Sequence, residues 1–340
     1  MTSSIVLQTV PLGFQWPTAD PFLFCVHHLD FYPAGNGEFG PDGPLAGRSL
    51  GNDFEPLDGW RMYHGSTVPG FPEHPHRGFE TITFARKGFI DHSDSMGAAA
   101  RFGRGDVQWM TAGRGVVHSE MFPLLSPEGP NTVELFQIWM NLPAADKMVE
   151  PHFTMLWSDD IPVHHHVDAT GAVTDVTVIA GAYAGITPPS PPPASWASRP
   201  HADVAIWHVV MAPGAAIELP RTADAATVRV LYVFEGSATV TGDAVQAGTG
   251  AVVQSDVPAP LVAGADGVEI LVLQGRPIAE PVAQYGPFVM NTQKEIEQAF
   301  DDYRRTGFGG WPWDRPDPVH GADPARFARH SDGRVEAAAG

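Results

Sequence analysis

The stretch FPEHPHRGFETITF (Phe71 to Phe84) sets His74 and His76 two residues apart, just before a run that alternates apolar and polar residues. Successive side chains of a strand project to opposite sides, so two imidazoles at this spacing share a face. Downstream, GRGVVHSEMF repeats the device with His118 and Glu120, again two apart. The glycines of Gly113 to Gly115 supply a tight turn that delivers His118 to the same centre as His74. Three neutral imidazoles and one carboxylate, with positions left open to water, oxygen or substrate, suit one divalent transition metal: Fe(II), Mn, Ni, Cu or Zn. A single buried histidine is usually structural. Two matched pairs on two strands make a mononuclear metal the better reading.

Outward from this stretch the chain is punctuated by 36 glycines and 33 prolines, with short runs rich in Val, Ile, Phe and Thr between them. ETITFARKG, GDVQWMTAG, NTVELFQIWMNL, TDVTVIAG, DVAIWHVVMAPG, TVRVLYVFEGSATVTG, GAVVQSD and GVEILVLQG all have strand length and turn residues at their ends. Many short strands argue for an antiparallel sandwich or barrel. One helix is expected near the end, in MNTQKEIEQAFDDYRRTG. Thr292 and Glu295 form a capping-box pattern, Ile296, Ala299, Phe300 and Tyr303 an apolar stripe, and Gly307 a stop. Thr187 to Pro200, rich in proline, reads as an extended connection, and the polar stretch after Pro316 as a frayed tail.

The two halves share a plan. VPGFPEHPHRGFETITFARKG parallels MAPGAAIELPRTADAATVRVLYVFEG, and RGDVQWMTAGRGVVHSE parallels AGTGAVVQSDVPAPLVAG, as a duplicated barrel would. Histidine separates the copies: none occurs between His208 and His320, so a metal belongs to the first.

At 340 residues the chain suits two domains. A net charge of -19 opposes direct nucleic-acid binding and attraction to anionic lipid. Cys25 is the single cysteine, which removes a disulfide framework and a Cys-based zinc site. No signal peptide or membrane-spanning run is apparent, so a soluble, cytoplasmic monomer is expected.

Other clusters have plainer readings. Consecutive residues of a strand face opposite ways, so His164, His165 and His166 cannot converge on one ion and belong on a solvated loop or edge. His27, His28 and His64 are expected to be packed or hydrogen-bonded near a barrel mouth, Cys25 to be a core thiol, and Arg77 to face away and form an ion pair. One or two of Gln108, Trp109 and Met110 should pack over the metal.

HPHRGFETITF followed by GDVQWMTAGRGVVHSEMF resembles the signature of the pirins, a branch of the cupin superfamily, and YGPFVMNTQKEIEQAFDDYRRTGFGGWPW resembles the pirin C-terminal end. The resemblance covers most of Phe22 to Trp313. It implies an all-β bicupin: two antiparallel jelly-roll barrels face to face, a short C-terminal helix, and a single iron in the N-terminal barrel. The corresponding division is 1–160 for the metal-binding cupin, 161–315 for a metal-free cupin carrying the helix, and 316–340 for the tail. The implied ligands are His74, His76, His118 and Glu120. In the general cupin pattern a glutamate follows the His-x-His pair, and Glu80 stands there with the same strand parity. Pirins take the carboxylate after the third histidine, which leaves Glu80 beside the site or bonded to backbone.

Family members have been linked to flavonol-cleaving dioxygenase (quercetinase) activity, and animal members to iron-dependent regulation of transcription through protein partners. The expectation is an oxidoreductase that uses molecular oxygen on a flavonol or other catechol-like phenolic substrate. Glu120 would be both metal ligand and proton acceptor, hence the catalytic residue. The alternative is a redox-sensing regulatory protein acting through a protein partner.

Overall fold

The computed structural model describes residues 4–338, in two compact units. The first comprises Met1–Val26, Ile138–Pro143 and Asp160–Ala279, and the second His27–Gln137, Ala144–Asp159 and Glu280–Gly340. The expected strands are all present and pair antiparallel. The expected boundary at 160 follows chain order, whereas the units interleave. The N-terminal strand Val6–Pro11 pairs with Thr249–Val253, and the C-terminal helix lies in the unit that carries His74.

In the first unit an antiparallel sheet runs in the order Val6–Pro11, Thr249–Val253, Val228–Val240, Ala259–Gly275, Ala205–Met211, Val173–Ala180 and Val163–Val167. It wraps a core of alternate residues such as Leu231, Val233, Ile270 and Val272, the period-2 burial of a curved sheet with one dry face. His164 to His166 lie on its outermost strand, alternately half-buried and exposed.

The second unit is built on two antiparallel sheets. One runs Val335–Ala337, Phe327–Arg329, Ala99–Gly103, Phe89–Asp94, Val116–Met121 and Gly70–His76. Its outermost member Gly70–His76 contains Pro72 and Pro75, which an edge tolerates because no ladder donor is needed on the open side. The other runs His152–Leu156, Asp106–Thr111 and Phe79–Lys87, followed within this unit by residues 131–137 of the strand Asn131–Asn141 and residues 27–32 of the strand Phe22–Tyr32. Between them lies a core that includes Tyr32, Ile90, Phe102, Met110, Phe122, Leu135, Phe153 and Met155.

The helix Gln293–Thr306 has the anticipated cap. Thr292 accepts from the Glu295 backbone N–H, the Glu295 carboxylate accepts from the Thr292 N–H at 2.8 Å, and Gly307 ends it in the left-handed region at φ 55°. Ile296 and Ala299 pack on Phe288 and Met290.

The expectation of a frayed tail is corrected. Residues 327–329 and 335–337 form a hairpin that pairs with Ala99–Gly103. Ala328 is fully buried, and Arg326 donates to Asp106 at 2.7 Å and to Asp159 at 3.2 Å, so a polar-looking stretch is held by an apolar anchor and by ion pairs. The last two residues of that tail, 339 and 340, lie outside the described residues.

Candidate metal centre

His74 and His118 are directly opposite one another across the strands Gly70–His76 and Val116–Met121. Cross-strand partners share a face, so the two-residue spacings bring His76 and Glu120 to that face as well. The ring centroids of His74, His76 and His118 lie 4.5 to 4.9 Å apart. One ligating nitrogen from each falls within 4.8 Å of the others, a group able to hold a metal ion. Among the described residues no comparable group of three lies in the other unit.

The protonation chemistry fits a metal. His74 donates from Nδ1 to the Pro72 carbonyl at 2.8 Å, which leaves the lone pair on Nε2. His76 makes a longer version of the same contact, with Nδ1 3.4 Å from the Pro287 carbonyl. His118 is fully buried with neither ring nitrogen hydrogen-bonded, an orphaned group of the kind that a coordinated ion satisfies. Burial pushes the His74 imidazole down to about 4 and holds His76 and His118 well below the ordinary histidine range, so all three are neutral bases at physiological pH.

Glu120 stands apart from the tight triad but on its face, with Oε2 4.0 Å from His118 Nε2. The Thr83 hydroxyl donates to its Oε1 at 2.9 Å and also lies 2.6 Å from Gln137 Oε1, while Gln137 Nε2 donates to Glu120 Oε2 at 3.2 Å. Burial raises the Glu120 carboxyl above the usual range, and these two hydrogen bonds oppose that rise. The carboxylate is therefore oriented and proton-hungry.

Glu80 shows where strand parity fails. The chain turns at Gly78, φ 84°, where a Cβ would run into the Val289 carbonyl. After that turn Phe79–Lys87 belongs to the other sheet, so parity does not carry across from His76. Glu80 is opposite Thr111 and accepts from its hydroxyl at 2.6 Å. It is Thr83 that reaches Glu120, and this grip by Thr83 and Gln137 has no signal in residue spacing.

Of the three residues expected over the centre, Gln108 pairs with Thr83 and so shares its face, as does Met110, two residues on. Trp109 takes the opposite face. His92, which no spacing argument singles out, is opposite Glu120, with Asp94 opposite His118. Its ring is 5.4 Å from that of His118, and its Nε2 is 3.2 Å from Asp94.

The remaining candidates are structural. His27 bonds Glu134 at 3.0 Å, His28 the Tyr63 hydroxyl at 2.8 Å, and His64 the Gly51 carbonyl at 2.7 Å. Arg77 pairs with Asp302 at 2.9 Å and donates to the Arg114 carbonyl. His165 pairs with exposed Asp175. Cys25 is buried, which pushes its thiol up out of reach of ionisation.

An antiparallel barrel that gathers three imidazoles and a gripped carboxylate on two adjacent strands, in a chain with a second β unit lacking such a group, has the organisation of a two-domain cupin. Comparison with known proteins gives the particular family. Residues 49–140 match the Pirin family and residues 206–309 the Pirin C-terminal cupin domain. A pirin-like protein of Solanum lycopersicum is 36% identical over 288 residues, 78% of this chain and 88% of that one. A Pseudomonas aeruginosa relative named "Putative quercetin 2,3-dioxygenase" is 37% identical over 241 residues, 70% of this chain and 79% of that one. The crystal structure of quercetin 2,3-dioxygenase from Acinetobacter baumannii superposes with a TM-score of 0.69 at 26% identity, covering 90% of this chain and 98% of that one. The chain belongs to the pirin family. No helix among the described residues is long and apolar enough to cross a membrane.

Proposed function

We propose that this protein is a quercetinase-type dioxygenase acting on flavonol or catechol-like phenolic substrates, with His74, His76, His118 and Glu120 as the ligands of one divalent metal, Fe(II) first among the candidates. The observation that carries the reading is the joining of a neutral three-histidine group to a buried carboxylate held by Thr83 and Gln137. Relatives and a structural neighbour that bear the name quercetin 2,3-dioxygenase supply the substrate class.

When bound, the ion supplies Lewis acidity and a template for substrate and oxygen. The protein's own part is proton handling and exclusion of water. Glu120, with its basicity raised by burial, accepts the proton of the substrate hydroxyl. Thr83 and Gln137 keep its two oxygens aimed at the interior while it does so. Loss of that proton leaves the electron-rich enolate that reacts with oxygen. The apolar residues around the centre, Met110, Val116 and Phe122 among them, keep bulk water from competing.

The test is oxygen uptake by metal-loaded protein with a panel of flavonols and catechols. Glu120→Gln should keep the fold and part of the metal yet lose turnover by about 100-fold or more, the scale of a lost general base, and Glu80→Gln should be milder. Full activity in Glu120→Gln together with metal loss in Glu80→Gln would reassign the carboxylate ligand. No uptake across the panel, with partner binding that follows metal oxidation, would replace the enzyme by the regulatory alternative.

A further inference from the structure

Gln108 is 1% exposed, and neither its Oε1 nor its Nε2 has a hydrogen-bond partner. A primary amide offers two donor hydrogens and an acceptor oxygen, and leaving both ends unmade in a dry interior costs stability that an apolar side chain of the same size would not. Its position makes the defect informative. Thr83, Gln108 and Met155 are directly opposite one another across three neighbouring strands, so the three side chains stand on one face. Thr83 holds Glu120 from that face, and Met155 belongs to the core beneath it. The unmade amide thus lies beside the residue that grips the proposed proton acceptor.

We propose that Gln108 is a substrate-binding residue whose amide is engaged by the ligand, with its two Nε2 hydrogens donating to two adjacent ring oxygens, a carbonyl and the oxygen whose proton passes to Glu120. The ligand class is a planar ring with two adjacent oxygen functions. This deepens the dioxygenase reading and rests on it for the choice of probe.

The experiment compares wild type with Gln108→Leu, which removes both polar ends at nearly constant volume, and with Gln108→Met as a second apolar replacement. Melting of the metal-free proteins is measured first. Anaerobic titrations of the Ni(II)-loaded proteins then follow 3-hydroxyflavone, which carries the hydroxyl–carbonyl pair, and azide, which needs no amide.

The expected result is a melting temperature equal to or above wild type in at least one variant, azide affinity unchanged, and 3-hydroxyflavone affinity weakened by about tenfold or more, as for the loss of hydrogen bonds inside a dry site. A lowered melting temperature with unchanged 3-hydroxyflavone affinity would make Gln108 structural and overturn the proposal. So would equal loss of both probes, or a wild type that binds azide but not 3-hydroxyflavone. Selective weakening in the variants, together with a wild type that binds 3-hydroxyflavone yet consumes no oxygen in air, would support Gln108 and sink the dioxygenase reading. Oxygen consumption and flavonol affinity that Gln108→Leu leaves unaltered would do the reverse.

Discussion

The ring of Phe308 occupies the space that a side chain on Gly115 would need: a Cβ there would lie 2.6 Å from the ring. Gly115 has φ 135° and precedes His118 by three residues, and the Arg77 guanidinium, next to His76, sits 4.5 Å over the same Phe308 ring. The segment after the C-terminal helix therefore braces both turns that deliver histidines to the centre. Gly115→Ala is expected to lower stability by about 2 kcal/mol through backbone strain and overpacking, and to reduce metal content after purification. Asp302→Asn, which weakens the ion pairs of that carboxylate with Arg77 and Arg305, should have a smaller effect of the same sign. Thermal melts and metal analysis of the two variants check both.

Thr83→Val keeps the shape of the side chain and deletes the hydroxyl that meets Glu120 and Gln137. It leaves a buried carboxylate oxygen of Glu120 short of its donor, so a stability loss of about 1–3 kcal/mol is expected. If Glu120 acts as proton acceptor, the variant should also lose turnover more than substrate affinity, because the carboxylate is no longer aimed. Steady-state oxygen uptake that shows raised KM at unchanged kcat would contradict this.

The metal-free protein should weaken as pH falls from about 6.5 toward 4. Burial holds His28 down to about 3 and His74 down to about 4, with His76 and His118 also low, so in this window the unfolded chain binds protons that the folded chain refuses. Stability then rises with pH, by up to a few kcal/mol per histidine, because each tenfold weakening of proton binding is worth about 1.4 kcal/mol. Asp30, raised to about 6 by burial, and Glu120 act in the opposite sense, being favoured protonated in the fold, but they are fewer. Denaturant melts from pH 7 to pH 4 should show a falling midpoint; a flat profile would mean that the imidazoles are protonated in the folded state.

Metal stoichiometry should be one ion per chain. His118→Ala removes the most enclosed of the three imidazoles and is expected to abolish binding, whereas His208→Ala, which breaks a pair with Glu269 in the other unit, should leave it intact. An ion retained stoichiometrically by residues 209–319 would contradict the assignment. Elemental analysis of untagged protein decides.

The strands, the capped helix and the pairing of two His-bearing motifs were legible in the sequence because each depends on short-range periodicity. Alternation places His74 with His76 and His118 with Glu120 on shared faces, and Thr292 with Glu295 sits one helical turn apart. The family signature then ranked Glu120 above Glu80. What periodicity could not carry was the turn at Gly78, which ends one strand and starts another in a different sheet, so Thr83 rather than Glu80 meets the face of the histidines. Nor could it foresee that the chain's ends would interleave with the two β units, since antiparallel pairing joins edges without regard to sequence distance. The grip of Thr83 and Gln137 on Glu120, the unmade amide of Gln108, and Phe308 against Gly115 are contacts between residues 17 to 193 positions apart or, for Gln108, the absence of one. Only the closing of the sheets brings such groups together, and it is there that the electrostatics of the centre are set.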